Sequence, residues 1–243
     1  MQMPNIKTKT PLAERFETAF NRIHKCLIRL VKNSRSDSFK NLLDAGNANS
    51  LIRTYRNDLY QYAKLRNSIV HEKTREGYYI ADPHENVVRQ IEKIANAFEK
   101  PKPALSISST KVYYFDESSS IKDVIQIVDE KSYSQFPIYD KSGRYKWLLT
   151  SDGIIRWMAQ HIVSNIISLD DTRITDLFPY EKKHEVDFIR RGANIFEVED
   201  LFEEAHLAQK KLEAVIITEG GKESEKPLGI VTAWDLVEID AMD

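Results

Sequence analysis

The stretch LGIVTAWDLVEI, residues 228–239, changes its pattern of apolar residues halfway along and decides the fold of the C-terminal half. The short apolar run up to Thr232 is typical of a buried strand, and the residues after it have the spacing of a helix. The Thr232 hydroxyl then lies where the backbone N–H groups of a helix begin, and such a helix end favours phosphate. Asp235, one turn later, can accept hydrogen bonds from ribose hydroxyls. The same pair also fits a plain helix cap, with Thr232 as N-cap and Asp235 as the capping-box acid.

The order of elements that ends in this stretch occurs twice in the C-terminal half. Each copy alternates short β-type runs with helical runs and ends in a strand followed by a helix. The runs of the first copy are VYYF (112–115), SSIKDVIQIVDE (119–130), QFPIYD (135–140), YKWLLT (145–150) and a helix over 152–167; those of the second are IFEVEDLFEEAHLAQ (195–209), AVIIT (214–218), LGIVT (228–232) and the helix that follows. Two α/β units of roughly 60 residues bury little core alone, so we expect them to pack on each other.

The tandem repeat, the strand–helix order and the motif GIVTAWD at 229–235 together resemble a pair of cystathionine-β-synthase-type (CBS) domains over residues 108–240. The resemblance implies two repeats packed side by side, with an adenine nucleotide or a related ligand in the clefts between them. It implies contacts of Thr232 and Asp235 with phosphate and ribose, and a base that faces the backbone near Ala214 and Val215. The regulatory ligand that the resemblance implies is AMP, ADP, ATP or a cyclic dinucleotide.

The first repeat departs from the family's motif in the segment WLLTSDG, residues 147–153. Trp147 stands where the family usually has Gly, Asp152 comes one residue early, and Gly153 takes the usual position of the acid. This departure indicates that one site is altered or empty. The residues of the first repeat that the resemblance still places at a ligand are Ser134, Phe136, Pro137, Thr150 and Asp152.

The first hundred residues have the apolar spacing of amphipathic helices. The first stripe comprises Phe16, Phe20, Ile23, Leu27 and Leu30. The pattern predicts helices over residues 12–32, 39–45, 50–71 and 83–98, with Gly77 and an extended stretch YYIADP before the last of them. The segment KPKPALSISST (100–110) is interpreted as a linker, because Pro and Ser break the periodicity there.

The long helix over 50–71 ends in RNSIVH, which carries a candidate catalytic group. Asn67 and His71 are four residues apart and share a helical face, so that Asn67 could orient the imidazole. A His with an ordinary pKa of about 6.5 can take or give a proton at neutral pH, and the guanidinium of Arg66 can stabilise a phosphorane-like transition state. With the RNA's own 2′-hydroxyl as nucleophile, neither a metal nor a protein nucleophile is needed. A surface cap at the helix end is the alternative interpretation.

This motif at the end of a long helix, in a small helical domain, resembles a HEPN domain (higher eukaryotes and prokaryotes nucleotide-binding) over residues 10–100. The resemblance implies that Arg66 and His71 are catalytic, that Asn67 supports them, and that two chains pair to form one composite cleft. Some family members are not nucleases. The order RNSIVH, IADPHENVVRQIEKI and then a CBS pair also resembles an uncharacterised bacterial HEPN–CBS arrangement.

The helical part and the α/β part of the chain also differ in net charge. Residues 1–100 carry 18 Lys and Arg against 11 Asp and Glu, whereas the remainder carries 17 against 26. A basic half can attract a polyanion such as RNA, although two solvated surfaces that attract each other would look the same.

Several classes of protein are disfavoured by composition. A single cysteine, Cys26, excludes a disulfide framework, and its spacing from His24 and His71 does not suit a metal site. The sequence has no G-x-S-x-G or Walker-type loop and no apolar run of about 20 residues, so we expect no membrane span. The N-terminal segment MQMPNIKTKT lacks the apolar region of a secretory signal, which favours a cytoplasmic protein. A helix-turn-helix with a basic recognition helix is also lacking, which disfavours a DNA-binding repressor.

Together these patterns predict an α+β chain: an all-α helical bundle (1–102), then a tandem α/β pair (108–168 and 169–243). The predicted function is a homodimeric regulator, in which a CBS pair senses an adenine-type nucleotide and controls a HEPN-type, metal-independent endoribonuclease. The alternative is a non-enzymatic module that binds a ligand and dimerises.

Overall fold

The computed structural model describes residues 10–32, 34–71, 81–109, 111–162 and 168–240, and within these it leaves out the side chains of residues 70, 71 and 238–240. The chain divides into two compact units, Met1–Lys102 and Pro103–Asp243. The first is helical and the second combines helices with β-sheets. The predicted α+β class is therefore confirmed.

The N-terminal unit is built from four described helices: α1 (Leu12–Leu30), α2 (Phe39–Ala45), α3 (Ser50–His71) and α4 (Glu85–Glu99). Their apolar faces form one core, in which Phe16, Ile23 and Leu27 of α1 are fully buried. Leu30 is 46% exposed, contrary to the predicted stripe, because α1 ends there instead of continuing to residue 32.

The helices of this unit are held in register by charge pairs and caps. Arg15 and Arg22 of α1 each bind a glutamate of α4 through two nitrogens, with Nη2–Oε2 distances of 2.6 Å to Glu92 and 2.7 Å to Glu99. The Asn49 side chain caps α3 by accepting from Ile52 N at 3.2 Å. Gly77 and the first half of the extended stretch predicted after it fall outside the described residues.

The second unit contains the same strand–helix order twice. The first copy comprises β1 (Phe115–Asp116), α5 (Ile121–Lys131), β2 (Gln135–Tyr139), β3 (Tyr145–Thr150) and α6 (Ser151–Ile162); the second comprises β4 (Glu185–Arg190), α7 (Ile195–Leu207), β5 (Leu212–Thr218), β6 (Gly229–Val231) and α8 (Ala233–Asp240). In each sheet the first strand pairs parallel with the second, and the third pairs antiparallel with the second. A 3₁₀ helix, Ile174–Tyr180, lies between the copies.

Two strands differ from the sequence expectation. β4 was not predicted, since its acidic and basic residues interrupt the apolar run and leave the strand only half-buried at a sheet edge. β1 covers only Phe115–Asp116 rather than residues 112–115. Both are outer strands of their sheets, where burial constrains the sequence less than it does in a central strand such as β5.

The segment interpreted as a linker is in part structured. Ala104 is fully buried, and its N–H donates to the Ala193 carbonyl at 2.9 Å. Ser109 N donates to the Ile230 carbonyl of β6 at 3.1 Å. Residues 103–109 therefore pack on the second copy, and the linker expectation is corrected for them. Periodicity cannot reveal such packing, because a short 3₁₀ turn (Ala104–Ser106) has none.

We predict that Gly229→Ala lowers the free energy of unfolding of the second unit by about 1–3 kcal/mol through overpacking. A Cβ at Gly229 would lie 2.9 Å from the Ser108 Cβ and 3.0 Å from Leu105 Cδ2. Urea unfolding followed by tryptophan fluorescence measures the effect, because all three tryptophans lie in this unit. Ser108→Gly in the same chain should restore part of the loss. Unchanged stability in Gly229→Ala would contradict the packing of residues 105–108 on β6.

Candidate functional site

The turn from β6 into α8 places the predicted pair at one cleft. β6 ends at Val231 and α8 begins at Ala233, so Thr232 is the junction residue and Asp235 is the third residue of the helix. The Asp235 carboxylate accepts through Oδ2 from Thr232 N at 2.6 Å and from Thr232 Oγ1 at 2.8 Å. Oδ1 accepts no hydrogen bond from any residue that the structure describes.

These two bonds bear on both interpretations of the motif. Acceptance of the Thr232 N–H by an acid three residues later is one half of a capping box. The Thr232 hydroxyl, however, donates to the same carboxylate. Asp235 therefore stabilises the helix start with one oxygen and keeps its second oxygen for another donor.

The cleft around this pair has a volume of about 120 Å³. Besides Thr232 and Asp235, it is lined by polar, aromatic and basic residues that include Ser109, Lys111, Tyr113, Tyr133, Ser134 and Gln135. The Tyr113 and Tyr133 rings lie 5.7 Å apart between centroids. A hydrogen bond to Tyr113 holds the pKa of Lys111 above its ordinary value, which keeps the ammonium group charged. The cleft thus combines a carboxylate, a cation and two aromatic faces.

Sequence reasoning missed Lys111, Tyr113 and Tyr133. The signal was weak because all three come from the first copy, more than 95 residues before Thr232, and only tertiary packing brings them to the pair. Ala214 and Val215, by contrast, do not line this cleft. They are fully buried in the central strand β5, where Val215 lies opposite Val231. Their expected position beside a base stays a prediction.

The turn from β3 into α6 forms another cleft, with a volume of about 530 Å³. It is called the first cleft, after the first copy, and the cleft of Thr232 and Asp235 is called the second cleft. Thr150, Asp152 and Ser134 line it, so the structure brings these three predicted residues together. Ser134 and Gln135 line both clefts, which makes the clefts neighbours. The other lining residues are Ser151, Lys182, Lys183, His184, Lys211 and Glu213. Phe136 and Pro137 continue into β2 and are buried.

The acid that serves Thr150 in this first cleft is not the one that the sequence suggests. Asp152 is 66% exposed in its side chain and pairs with Arg156 on the next turn of α6. Thr150 instead donates to Glu181, with 2.6 Å from its backbone N and 3.0 Å from Oγ1 to Glu181 Oε1. The Glu181 side chain is only 3% exposed. No sequence signal marked Glu181, because it lies 31 residues from Thr150 and outside any motif.

The helical unit places the other predicted group on α3. The Arg66 guanidinium lies over the Phe20 ring, 6.0 Å from its centroid, and its buried Nε has no hydrogen-bond partner among the described residues. Asn67 is exposed. His71 is the last residue of α3, but its side chain falls outside the described part of the chain. The catalytic assignment of these three residues stays a prediction.

The described residues hold neither a metal cluster nor a membrane-spanning helix. They contain no group of three or more His, Cys, Asp or Glu side chains that could hold a metal ion. Among the described helices, none is long and apolar enough to cross a membrane.

Comparison with known proteins identifies one domain. A protein-family model described as a CBS domain matches residues 104–160, so a CBS domain is present in this part of the chain. The match begins within the segment interpreted as a linker. No curated protein matches the sequence.

Several solved structures are similar to part of this chain at low sequence identity. A CBS domain-containing protein of unknown function from Kribbella flavida is 12% identical, with 58% of this chain and 99% of that chain covered at a TM-score of 0.43. CBSX2 in complex with AMP is 14% identical, with 58% and 97% covered at 0.39. A CBS domain pair in complex with 5′-methylthioadenosine and S-adenosyl-L-methionine is 16% identical, with 57% and 99% covered at 0.38.

Proposed function

We propose that residues 103–243 form a sensor that binds an adenine-type nucleotide in the cleft of Thr232 and Asp235. We further propose that the chain is a homodimeric regulator, in which this sensor controls a metal-independent endoribonuclease in the helical unit. The observation that carries the sensor proposal is Asp235, which accepts no bond through Oδ1 from the described residues and lines a cleft that also holds Lys111 and two tyrosines.

Each part of a nucleotide has a partner of suitable chemistry in this cleft. A ribose hydroxyl can donate to Asp235 Oδ1 in a charge-assisted hydrogen bond. The Lys111 ammonium can pair with a phosphate, and the Tyr113 and Tyr133 rings offer aromatic surface to a planar base. An adenine-type ligand also agrees with the CBS resemblance, and AMP is the simplest probe of that class.

The ribonuclease proposal rests on the residue types at the end of α3. Arg66 supplies a permanent positive charge. His71 supplies a group that exchanges protons near neutral pH, and Asn67 lies one helical turn before it. A second chain would complete the cleft, as the HEPN resemblance implies.

A ligand can regulate such an enzyme only through different affinities for two arrangements of the dimer. Bound nucleotide would favour the arrangement whose cleft fits it better, and the two α3 ends would respond. The alternative function is a non-enzymatic module, in which the helical unit dimerises and the sensor acts on a partner.

We predict that Asp235→Ala weakens AMP binding by about 1–3 kcal/mol, because a charge-assisted hydrogen bond to ribose is lost. Titration calorimetry measures the affinity, and the rise in thermal midpoint with AMP gives an independent value. Asp123→Ala is the matched control, because Asp123 is likewise the third residue of its helix, α5, but lies outside both clefts. Equal AMP affinity in wild type and Asp235→Ala would show that Asp235 acts only as a helix cap. A wider screen with ADP, ATP, cyclic dinucleotides and S-adenosylmethionine identifies the preferred ligand.

We predict that the purified protein cleaves RNA in EDTA and leaves 2′,3′-cyclic phosphate and 5′-hydroxyl ends, since the nucleophile is internal. His71→Ala should lower the rate by about 10²–10⁴, the usual contribution of a general acid or base. Arg66→Ala should be similarly damaging, and Arg66→Lys should restore little because the planar fork is lost. DNA should not be cleaved, because it lacks the 2′-hydroxyl.

The exposed His206 provides the control for the nuclease assay, as His206→Ala removes an imidazole in the other unit. Cleavage at the wild-type rate by His71→Ala would identify a contaminating nuclease. No cleavage by wild type, with or without nucleotides, would favour the non-enzymatic alternative.

A further inference from the structure

The two strand-to-helix turns of the second unit carry equivalent threonines but acids of different origin. Thr232 and Thr150 each immediately precede a helix, α8 or α6. In α8 the third residue is Asp235, which accepts from the Thr232 N–H and hydroxyl. In α6 the third residue is Gly153, which has no side chain to offer.

Glu181 makes the missing bonds in the first copy. Its Oε1 accepts from Thr150 N at 2.6 Å and from Thr150 Oγ1 at 3.0 Å, the same two donors that Asp235 satisfies in the second copy. Glu181 is not part of α6. It follows the 3₁₀ helix Ile174–Tyr180, in the connection between the two copies.

The glycine at 153 is a steric requirement of this arrangement. A Cβ built on Gly153 would overlap the Glu181 carboxylate, so position 153 and the Glu181 side chain compete for one space. The backbone of Gly153 is used as well, because its N–H donates to Thr150 Oγ1 at 3.1 Å. Gly153 and Glu181 together therefore fill the place of a single acid on the helix.

The Glu181 carboxylate is fixed and enclosed from its other side. His184 Nε2 lies 2.9 Å from Glu181 Oε2, and Arg156 Nη1 of α6 donates to the Tyr180 carbonyl at 3.2 Å, which holds the segment against the helix. With 3% of its side chain exposed, Glu181 has both oxygens engaged and none directed to solvent. Asp235 differs in this respect, since its Oδ1 accepts no bond within the described chain.

The remaining carboxylates of the first cleft already have cationic partners. Asp152 pairs with Arg156. Glu213 pairs with Lys211 at 2.9 Å and lies 3.6 Å from His184 Nδ1. A ribose that entered this cleft would meet carboxylates that already pair with cations, and neither of them accepts from Thr150 as Asp235 accepts from Thr232.

We infer that Glu181 is the acid of the first repeat, supplied from the connection between the repeats, and that this relocation removes the ribose acceptor from the first cleft. The chain then binds one ribose-bearing nucleotide, in the cleft of Asp235, which rests on the proposed sensor function. Glu181 acts as a positioning residue, because it holds Thr150 and the start of α6 without reaching a ligand.

A transplant of the acid from position 181 to position 153 tests this inference. Gly153→Asp alone places two carboxylates in one space, and Glu181→Ala alone leaves Thr150 without its acceptor, so each single variant should lower the thermal midpoint by roughly 5 °C or more. The double variant Gly153→Asp/Glu181→Ala should return to within about 2 °C of wild type. Gly153→Asp/Glu213→Ala is the matched control, since it also removes a glutamate near His184 but leaves Glu181 in place, and it should not recover.

Calorimetric titration with AMP provides a readout that a merely structural role would not change. We expect one AMP site per chain in wild type and two in Gly153→Asp/Glu181→Ala, because the transplanted Asp keeps an oxygen open to the first cleft as Asp235 does in the second. If the losses of thermal midpoint of the two single variants add up in the double variant, Asp at position 153 does not replace Glu181, and this part of the inference is wrong. Two AMP sites in wild type would show that the first cleft still has a ribose acceptor. A double variant that regains its thermal midpoint but binds only as many AMP molecules as wild type would also refute the loss of that acceptor.

The same titration separates this inference from the proposed sensor. A wild-type chain without an AMP site and a double variant with one would uphold the role of Glu181 and refute nucleotide binding at Asp235. Absence of AMP binding from both proteins would refute both statements about ribose recognition.

Discussion

The structure of the second unit depends on one hydrogen-bonded arrangement, in which a carboxylate accepts the N–H and the hydroxyl of a threonine at a strand-to-helix turn. It satisfies a backbone donor that the helix itself cannot pair and fixes the direction in which the helix leaves the sheet. Because both turns border clefts, the same bonds also decide which oxygen atoms a ligand can reach. Thr232 and Thr150 therefore link the stability of the fold to the chemistry of the two clefts.

The two copies satisfy this requirement with different consequences. Asp235 is short and lies on the helix, so that it can serve Thr232 with one oxygen and leave the other open. Glu181 reaches Thr150 from a distant segment, and its carboxylate is enclosed between Thr150 and His184. A buried carboxylate is tolerated only when hydrogen bonds and charges compensate for its lost hydration. That compensation uses up the Glu181 oxygens and makes the two clefts chemically unequal.

The helical unit relies on a simpler constraint, the burial of one apolar face per helix. Its surface charges are organised as well, since the arginines of α1 meet the glutamates of α4 at Arg15–Glu92 and Arg22–Glu99. Hydrogen bonding to these arginines lowers the pKa of Glu92 and of Glu99, so both carboxylates stay charged at neutral pH. Part of the positive charge of this half is thus neutralised internally, whereas Arg66 lies against an aromatic ring and has no such partner for its Nε within the described residues.

Sequence alone determined the features that arise from short-range periodicity. The α+β class, the bounds of α3 and the turn that carries Thr232 and Asp235 follow from apolar spacing and from residues adjacent in the chain. The sequence also shows that position 153 carries no acid, but it does not show which residue takes the place of that acid. Only the tertiary structure placed Lys111, Tyr113 and Tyr133 beside Thr232, packed residues 103–109 on the second copy, and brought the Glu181 carboxylate into the space above Gly153. These contacts join residues far apart in the chain, and neither periodicity nor spacing carries information about which distant side chain fills a given space.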